Sequence, residues 1–108
     1  MTEQTQTNIP VESPAIDVFE SDDGYLLRAD VPGVVEGGVE IEFHKGRLSL
    51  VARREQDPVR FERSIRFPDR VDTDGIHAEL RAGVLELRLP KAAEVRPRKI
   101  PIRIPSVK

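Results

Sequence analysis

Val39-Glu40-Ile41-Glu42-Phe43-His44-Lys45-Gly46-Arg47-Leu48-Ser49-Leu50-Val51-Ala52-Arg53 is the stretch whose reading decides the fold. Val39, Ile41 and Phe43 face one way and Glu40, Glu42 and His44 the other, a period of two that marks a half-buried strand. Lys45-Gly46 makes a tight turn, after which Leu48, Leu50 and Ala52 point inward. The stretch is a β-hairpin. Upstream the same period recurs. Ile16-Asp17-Val18-Phe19-Glu20 reads as a strand and Ser21-Asp22-Asp23-Gly24 as a turn. Tyr25 to Val31 follows, with Tyr25, Leu27, Ala29 and Val31 on one face and Pro32-Gly33 closing it. Downstream, Gln56-Asp57-Pro58 connects to Phe61 through Phe67, whose apolar side is interrupted by Arg63. Asp72-Thr73-Asp74-Gly75 turns into Ile76 through Leu80, and Ala82-Gly83 into Val84 through Leu89. Leu85, Leu87 and Leu89 share a face, and Pro90 is the stop. No segment shows ten residues of helical period without Gly or Pro. Seven or eight short strands, with turn signals every eight to twelve residues, describe an all-β fold, an antiparallel β-sandwich.

Past the last strand the pattern changes. Lys99-Ile100-Pro101-Ile102-Arg103-Ile104-Pro105 alternates isoleucines with residues that are charged or lack a backbone donor. Proline fixes its own φ and pushes the residue before it toward extended geometry, so the segment is extended with Ile100, Ile102 and Ile104 on one apolar face. Pro101 and Pro105 bar it from the middle of a sheet. An extended apolar tail of this kind needs a groove to lie in. The competing reading is that 99–104 pairs as an edge strand on its own domain.

Length and composition narrow the function classes. At 108 residues the chain is one domain. The organisation expected is a mobile N-terminal arm over 1–14, a sandwich over 15–90 and an extension over 91–108. Cysteine is absent and only His44 and His77 are present, which excludes disulfides, thiolate metal sites and a histidine-rich metal site. No cofactor is expected. No apolar run approaches the roughly 20 residues of a membrane helix, and the polar start lacks a signal peptide's regions, so the expectation is a soluble, cytoplasmic protein without membrane contact. Net charge is only −2, but residues 1–46 carry two basic and ten acidic groups while 91–108 carry six basic groups and one acidic group. That polarity favours attraction between the tail and the acidic first half, in the same or a neighbouring chain. A basic tail also suits nucleic acid; here it has no aromatics to stack bases, and its isoleucines want a dry partner. No nucleic-acid partner is expected.

Four short motifs resemble one family in its own order. Ala78-Glu79-Leu80-Arg81-Ala82-Gly83-Val84-Leu85 is similar to the A-x-x-x-n-G-V-L signature of the α-crystallin domain of small heat shock proteins. Asp30-Val31-Pro32-Gly33-Val34 resembles the D-x-P-G-v segment of the bacterial and plant branch. Leu89-Pro90-Lys91 resembles the L-P-K that closes the penultimate strand, and Ile100-Pro101-Ile102 the C-terminal I-x-I anchor. The resemblance covers roughly residues 15–104 and implies an immunoglobulin-like sandwich, dimeric building blocks and ATP-independent holding of unfolding client proteins. It also implies that the anchor docks in an apolar groove of another subunit, lined here from Val39, Ile41 and Phe43 on one side and Leu85, Leu87 and Leu89 on the other. An arginine resembling Arg63 pairs with carboxylates at the family's dimer interface; the alternative for Arg63 is an ordinary surface arginine whose stem covers apolar surface. Gly83 fits a turn that needs positive φ.

Two departures bear on assembly. Bacterial and plant members carry a long loop that swaps between subunits, whereas about seven residues, Arg54 to Arg60, bridge the corresponding strands here. The dimer is then either built on another surface, as in animal members, or weak. The arm is also short, so a dimer or small oligomer is expected rather than a large cage. No nucleophile–base constellation is visible, and Asp22-Asp23 and Glu40/Glu42 read as solvated carboxylates. The chain reads as a non-enzymatic holdase, with an adaptor that docks one specific partner as the alternative.

Overall fold

The structure, a computed structural model, describes residues 8–106. Its strands are β1 (Val11–Glu12), β2 (Ile16–Glu20), β3 (Gly24–Asp30), β4 (Val39–His44), β5 (Arg47–Arg54), β6 (Val59–Arg66), β7 (His77–Arg81) and β8 (Val84–Pro90). They form two four-stranded sheets, ordered β1-β6-β5-β4 and β2-β3-β8-β7. All pairings are antiparallel except the short β1–β6 contact. The sandwich expected from the period-two pattern is the fold observed.

Each sheet contributes its apolar rows to the space between them. Tyr25, Leu27 and Ala29 from β3, Leu48, Leu50 and Ala52 from β5, Val59 and Phe61 from β6, and Leu85, Leu87 and Leu89 from β8 are buried. These strands alternate because one face meets the opposite sheet and the other meets water. Residues 11 and 12 differ from the expectation for the arm. Val11 and Glu12 lie in parallel register with Arg60 and Phe61, and the Arg60 N–H donates to the Pro10 carbonyl at 2.9 Å. Two residues are too few for a period to show. Residues 1–7 of the expected arm lie outside the described residues.

Two hairpin turns set the register of the strands that matter for the site. Lys45 and Gly46 have φ of 50° and 80°, and Ala82 and Gly83 have φ of 50° and 79°. Two positive φ values in a two-residue loop define the type I′ turn, whose twist matches that of the strands. A Cβ on Gly83 would lie 3.1 Å from the Pro32 Cα. Lys45 and Ala82 both carry a Cβ in the left-handed region, which costs roughly 1–2 kcal/mol that Asn partly avoids. Ala82→Asn is therefore expected to stabilise the domain by about 1 kcal/mol, roughly 4–8 °C in Tm for a domain of this size. Thermal denaturation by circular dichroism checks it; an unchanged or lower Tm contradicts the strain argument.

The end of β8 is tied down by a polar cluster. Lys91 is 8% exposed, and its Nζ lies 2.7 Å from Glu20 Oε2 and 3.4 Å from Asp69 Oδ2. The Tyr25 hydroxyl donates to Asp69 at 2.6 Å, and the ammonium also stands 5.3 Å from the Tyr25 ring centroid. Burial, followed by the neighbouring Asp69, pushes the Tyr25 phenol up to about 12, so it remains a donor across the neutral range. The Tyr25 hydrogen bond, helped by Lys91, holds the Asp69 carboxyl below its usual range, and the Glu20 carboxylate raises the Lys91 ammonium. A carboxyl depressed on folding contributes stability above its unfolded pKa and loses it as pH falls through its folded value. Asp69→Asn should lower Tm at pH 7, with the gap from the native chain closing toward pH 2. A gap independent of pH would contradict the assignment.

Candidate functional site

β4 and β7 are edge strands of different sheets, and their exposed flanks approach each other without hydrogen bonding. Between them lies a groove of about 340 Å³. Val39 and Ile41 form one wall, Ala78 and Leu80 the other, and Leu85 lies beneath. The walls follow from position rather than composition. Val39, Ile41 and Leu80 point toward the interior, but at a sheet edge nothing covers their outer flank, and all three are half-buried. Glu36, Glu79 and Arg81 form the rim, with Arg81 Nη2 3.1 Å from Glu79 Oε1. Both side chains of that pair are well exposed, which makes it weak.

The residues singled out in the sequence are distributed unequally. Val39, Ile41 and Leu85 come together in the groove, Leu85 as a buried floor. Leu87 and Leu89 do not: each is 1% exposed in the sandwich interior and offers no surface to a docked segment. Phe43 turns toward Phe67, ring centroids 6.4 Å apart, and lines a separate cleft with His44, Gly46 and Pro68. Ala78, marked only as part of a motif, is a groove wall, and Leu80 and Glu36 join it unanticipated. Gly83 and Val84 form the hairpin end beside it, Val84 facing outward. Arg63 is exposed and reaches the connector between β1 and β2, donating to Ser13 Oγ at 3.4 Å and the Pro14 carbonyl at 3.5 Å. Within the described residues Arg63 forms no ion pair, and the carboxylate pairing that the resemblance implies belongs to an interface between chains.

The extension is anchored, then released. The Lys91 N–H donates to the Asp23 carbonyl, the Ala92 N–H to Arg70, and Arg96 Nε to the Lys91 carbonyl. Arg70 pairs with Glu94 at 2.6 Å. Beyond Arg96, residues 97–106 have no regular structure, and Ile100, Ile102 and Ile104 are 83%, 88% and 89% exposed. Three large aliphatic side chains at such exposure are unusual for a surface that stays unpartnered. The edge-strand alternative for 99–104 does not occur in the single chain. A second concavity, about 480 Å³, lies on the outer face of the β2-β3-β8-β7 sheet against Phe19, Leu26 and Pro90. Phe19 is 52% exposed on an edge strand, and the sequence signalled only a strand there.

A sandwich with this groove and this tail matches a known family model. The Hsp20/alpha crystallin family model covers residues 17–103. The chain belongs to the Hsp20/alpha crystallin family. Among its relatives, Spore protein SP21 of Stigmatella aurantiaca is 34% identical over 86% of this chain and 63% of that protein. Among solved structures, heat shock protein 16.0 from Schizosaccharomyces pombe superposes with a TM-score of 0.71 at 28% identity, covering 86% of this chain and 98% of that one. The hspA structure from Xanthomonas axonopodis gives 0.66 at 34% identity, over 75% of this chain and 93% of that one. This Hsp20-family chain thus spans somewhat under two thirds of the length of SP21. Among the described residues, no group of three or more His, Asp or Glu is placed to hold a metal ion, and no helix is long and apolar enough to cross a membrane.

Proposed function

We propose that the chain is an ATP-independent holdase, which binds exposed apolar segments of unfolding proteins and limits their aggregation. The observation that carries the reading is the coexistence of an open apolar groove between β4 and β7 and an exposed isoleucine tail on the same chain. The two are complementary in shape and chemistry. Burying two isoleucines contributes roughly 3–6 kcal/mol gross, while ordering three or four backbone residues costs roughly 1–2 kcal/mol apiece. The terms nearly cancel, so one docked tail is a weak, reversible plug. Several such contacts in an oligomer reinforce one another, and their loss uncovers grooves for clients. No nucleotide enters this cycle, because its driving force is the client's own apolar surface.

The test is a heated client protein with the purified chain and no nucleotide. Suppressed light scattering at a several-fold excess is the expected result; undiminished aggregation counts against the holdase. Pull-downs before and after heating add a second reading. A heat-dependent crowd of proteins supports the holdase, whereas one stoichiometric partner at all temperatures favours the adaptor.

A further inference from the structure

We infer that the C-terminal tail docks in two overlapping registers, with Ile102 shared by both and Ile100 and Ile104 alternating as its companion. The inference rests on the proposed tail–groove contact and specifies its geometry.

The groove has two seats and the tail three isoleucines. Its walls are Val39 and Ile41 on β4 and Ala78 and Leu80 on β7, each pair separated by one residue. Same-face positions on an extended strand recur about every 7 Å, so each wall offers two rungs at that spacing. The next β4 position, Phe43, leaves the groove to meet Phe67. Ile100, Ile102 and Ile104 repeat at the same interval. A two-rung groove therefore accepts Ile100 with Ile102, or Ile102 with Ile104. The intervening residue faces away in either case, which is why Pro101 in one register and Arg103 in the other are both accommodated.

The occupant is the tail of a second copy. In the single chain the three isoleucines are almost fully exposed, and the extension leaves β8 at Pro90 whereas the groove lies beside Leu85, toward the opposite end of that strand. Charge agrees. Arg98, Lys99 and Arg103 are accompanied by no acidic residue between 95 and 106, and the groove rim carries Glu36 and Glu79 beside the single cation Arg81.

Two registers of equal strength leave a distinctive mutational pattern. Removing Ile100 or Ile104 abolishes one register and leaves the other, weakening binding only about twofold. Removing Ile102 takes one seat from both, a loss of about tenfold or more for a buried isoleucine. Removing Ile100 and Ile104 together also empties a seat in both, so two mild single changes combine into a severe one.

The measurement uses the full-length chain carrying Ile100→Ala, Ile102→Ala and Ile104→Ala, whose grooves its own tails no longer compete for. Fluorescent peptides of residues 97–106 are titrated into it. Expected are a Kd about twofold higher for the I100A and I104A peptides and at least tenfold higher for I102A and for the I100A/I104A pair. A silent I104A with I100A equal to I102A, or the mirror result, means a single register and overturns the inference while leaving docking intact. Equal large losses at all three positions mean three seats, and also overturn it. If the native peptide does not bind at all, the docking reading itself fails.

Discussion

Leu87→Ala lowers the unfolding free energy by about 2–5 kcal/mol, the range for deleting a leucine side chain from a packed interior. At roughly 4–8 °C per kcal/mol for a domain of this size, Tm falls by more than about 8 °C. The reason is topological. β8 lies between β3 and β7, Leu87 stands opposite Leu27 in the shared ladder, and at 1% exposure it has the other sheet above it. A domain of this size has about 5–15 kcal/mol in total, so the variant is near the threshold of folding. Ile41→Ala is the contrast. Half-buried at the open flank of β4, it should cost less stability and more docking. Denaturant titration and sizing of the two variants at a temperature where both are folded separate core from groove. Were Leu87→Ala mild in stability and severe in assembly, the division between interior and groove drawn here would be wrong.

Ile100→Ala combined with Ile102→Ala should dissociate higher assemblies while leaving the fold as stable as before. Both side chains are more than four-fifths exposed in the single chain, so their removal changes Tm by no more than an ordinary surface substitution does, within about 0.5 kcal/mol. Between copies the effect is large, because both registers lose Ile102 and one loses Ile100 as well. With contacts that nearly balance burial against ordering, removing that much apolar surface leaves no net affinity, and avidity is lost with it. Multi-angle light scattering reads the outcome as a drop in mass to the building block. An unchanged mass at unchanged Tm would mean that the tail does not bridge subunits.

The sandwich was legible because its central strands alternate. In β3, β5 and β8 the inward residues are aliphatic or, at Tyr25, aromatic and the outward ones are mostly charged or polar, and two Gly-ended turns punctuate them. The groove was legible only in part. Period two says which side chains share a face, and in a sandwich the inner face of every strand looks alike. Leu87 and Ile41 are indistinguishable by pattern. What separates them is strand order, central against edge, which depends on pairings between residues far apart in the chain. Ala78 and Leu80 carry no groove signal in the sequence for the same reason, since β7 has few apolar residues and only its edge position opposite β4 makes them a wall. The Lys91 cluster was hidden because its partners, Glu20 and Asp69, lie 71 and 22 residues away and each reads singly as a surface charge. The tail was the opposite case. Three isoleucines among prolines and cations mark an extended apolar tail without any structure at all, and the tail is exposed as that pattern requires.

Disulfide trapping across copies tests the tail–groove contact most directly, and the chain's lack of cysteine makes it clean. Full-length Ile102→Cys is mixed with full-length Ile41→Cys under mild oxidation, and in parallel with Glu42→Cys, whose side chain leaves the same strand on the opposite face. A disulfide needs Cα atoms within about 7 Å, so only a tail seated in the groove can form one with position 41. The account predicts a mixed covalent dimer with Ile41→Cys and little with Glu42→Cys. Equal yields from both, or no mixed dimer with Ile41→Cys, would contradict it.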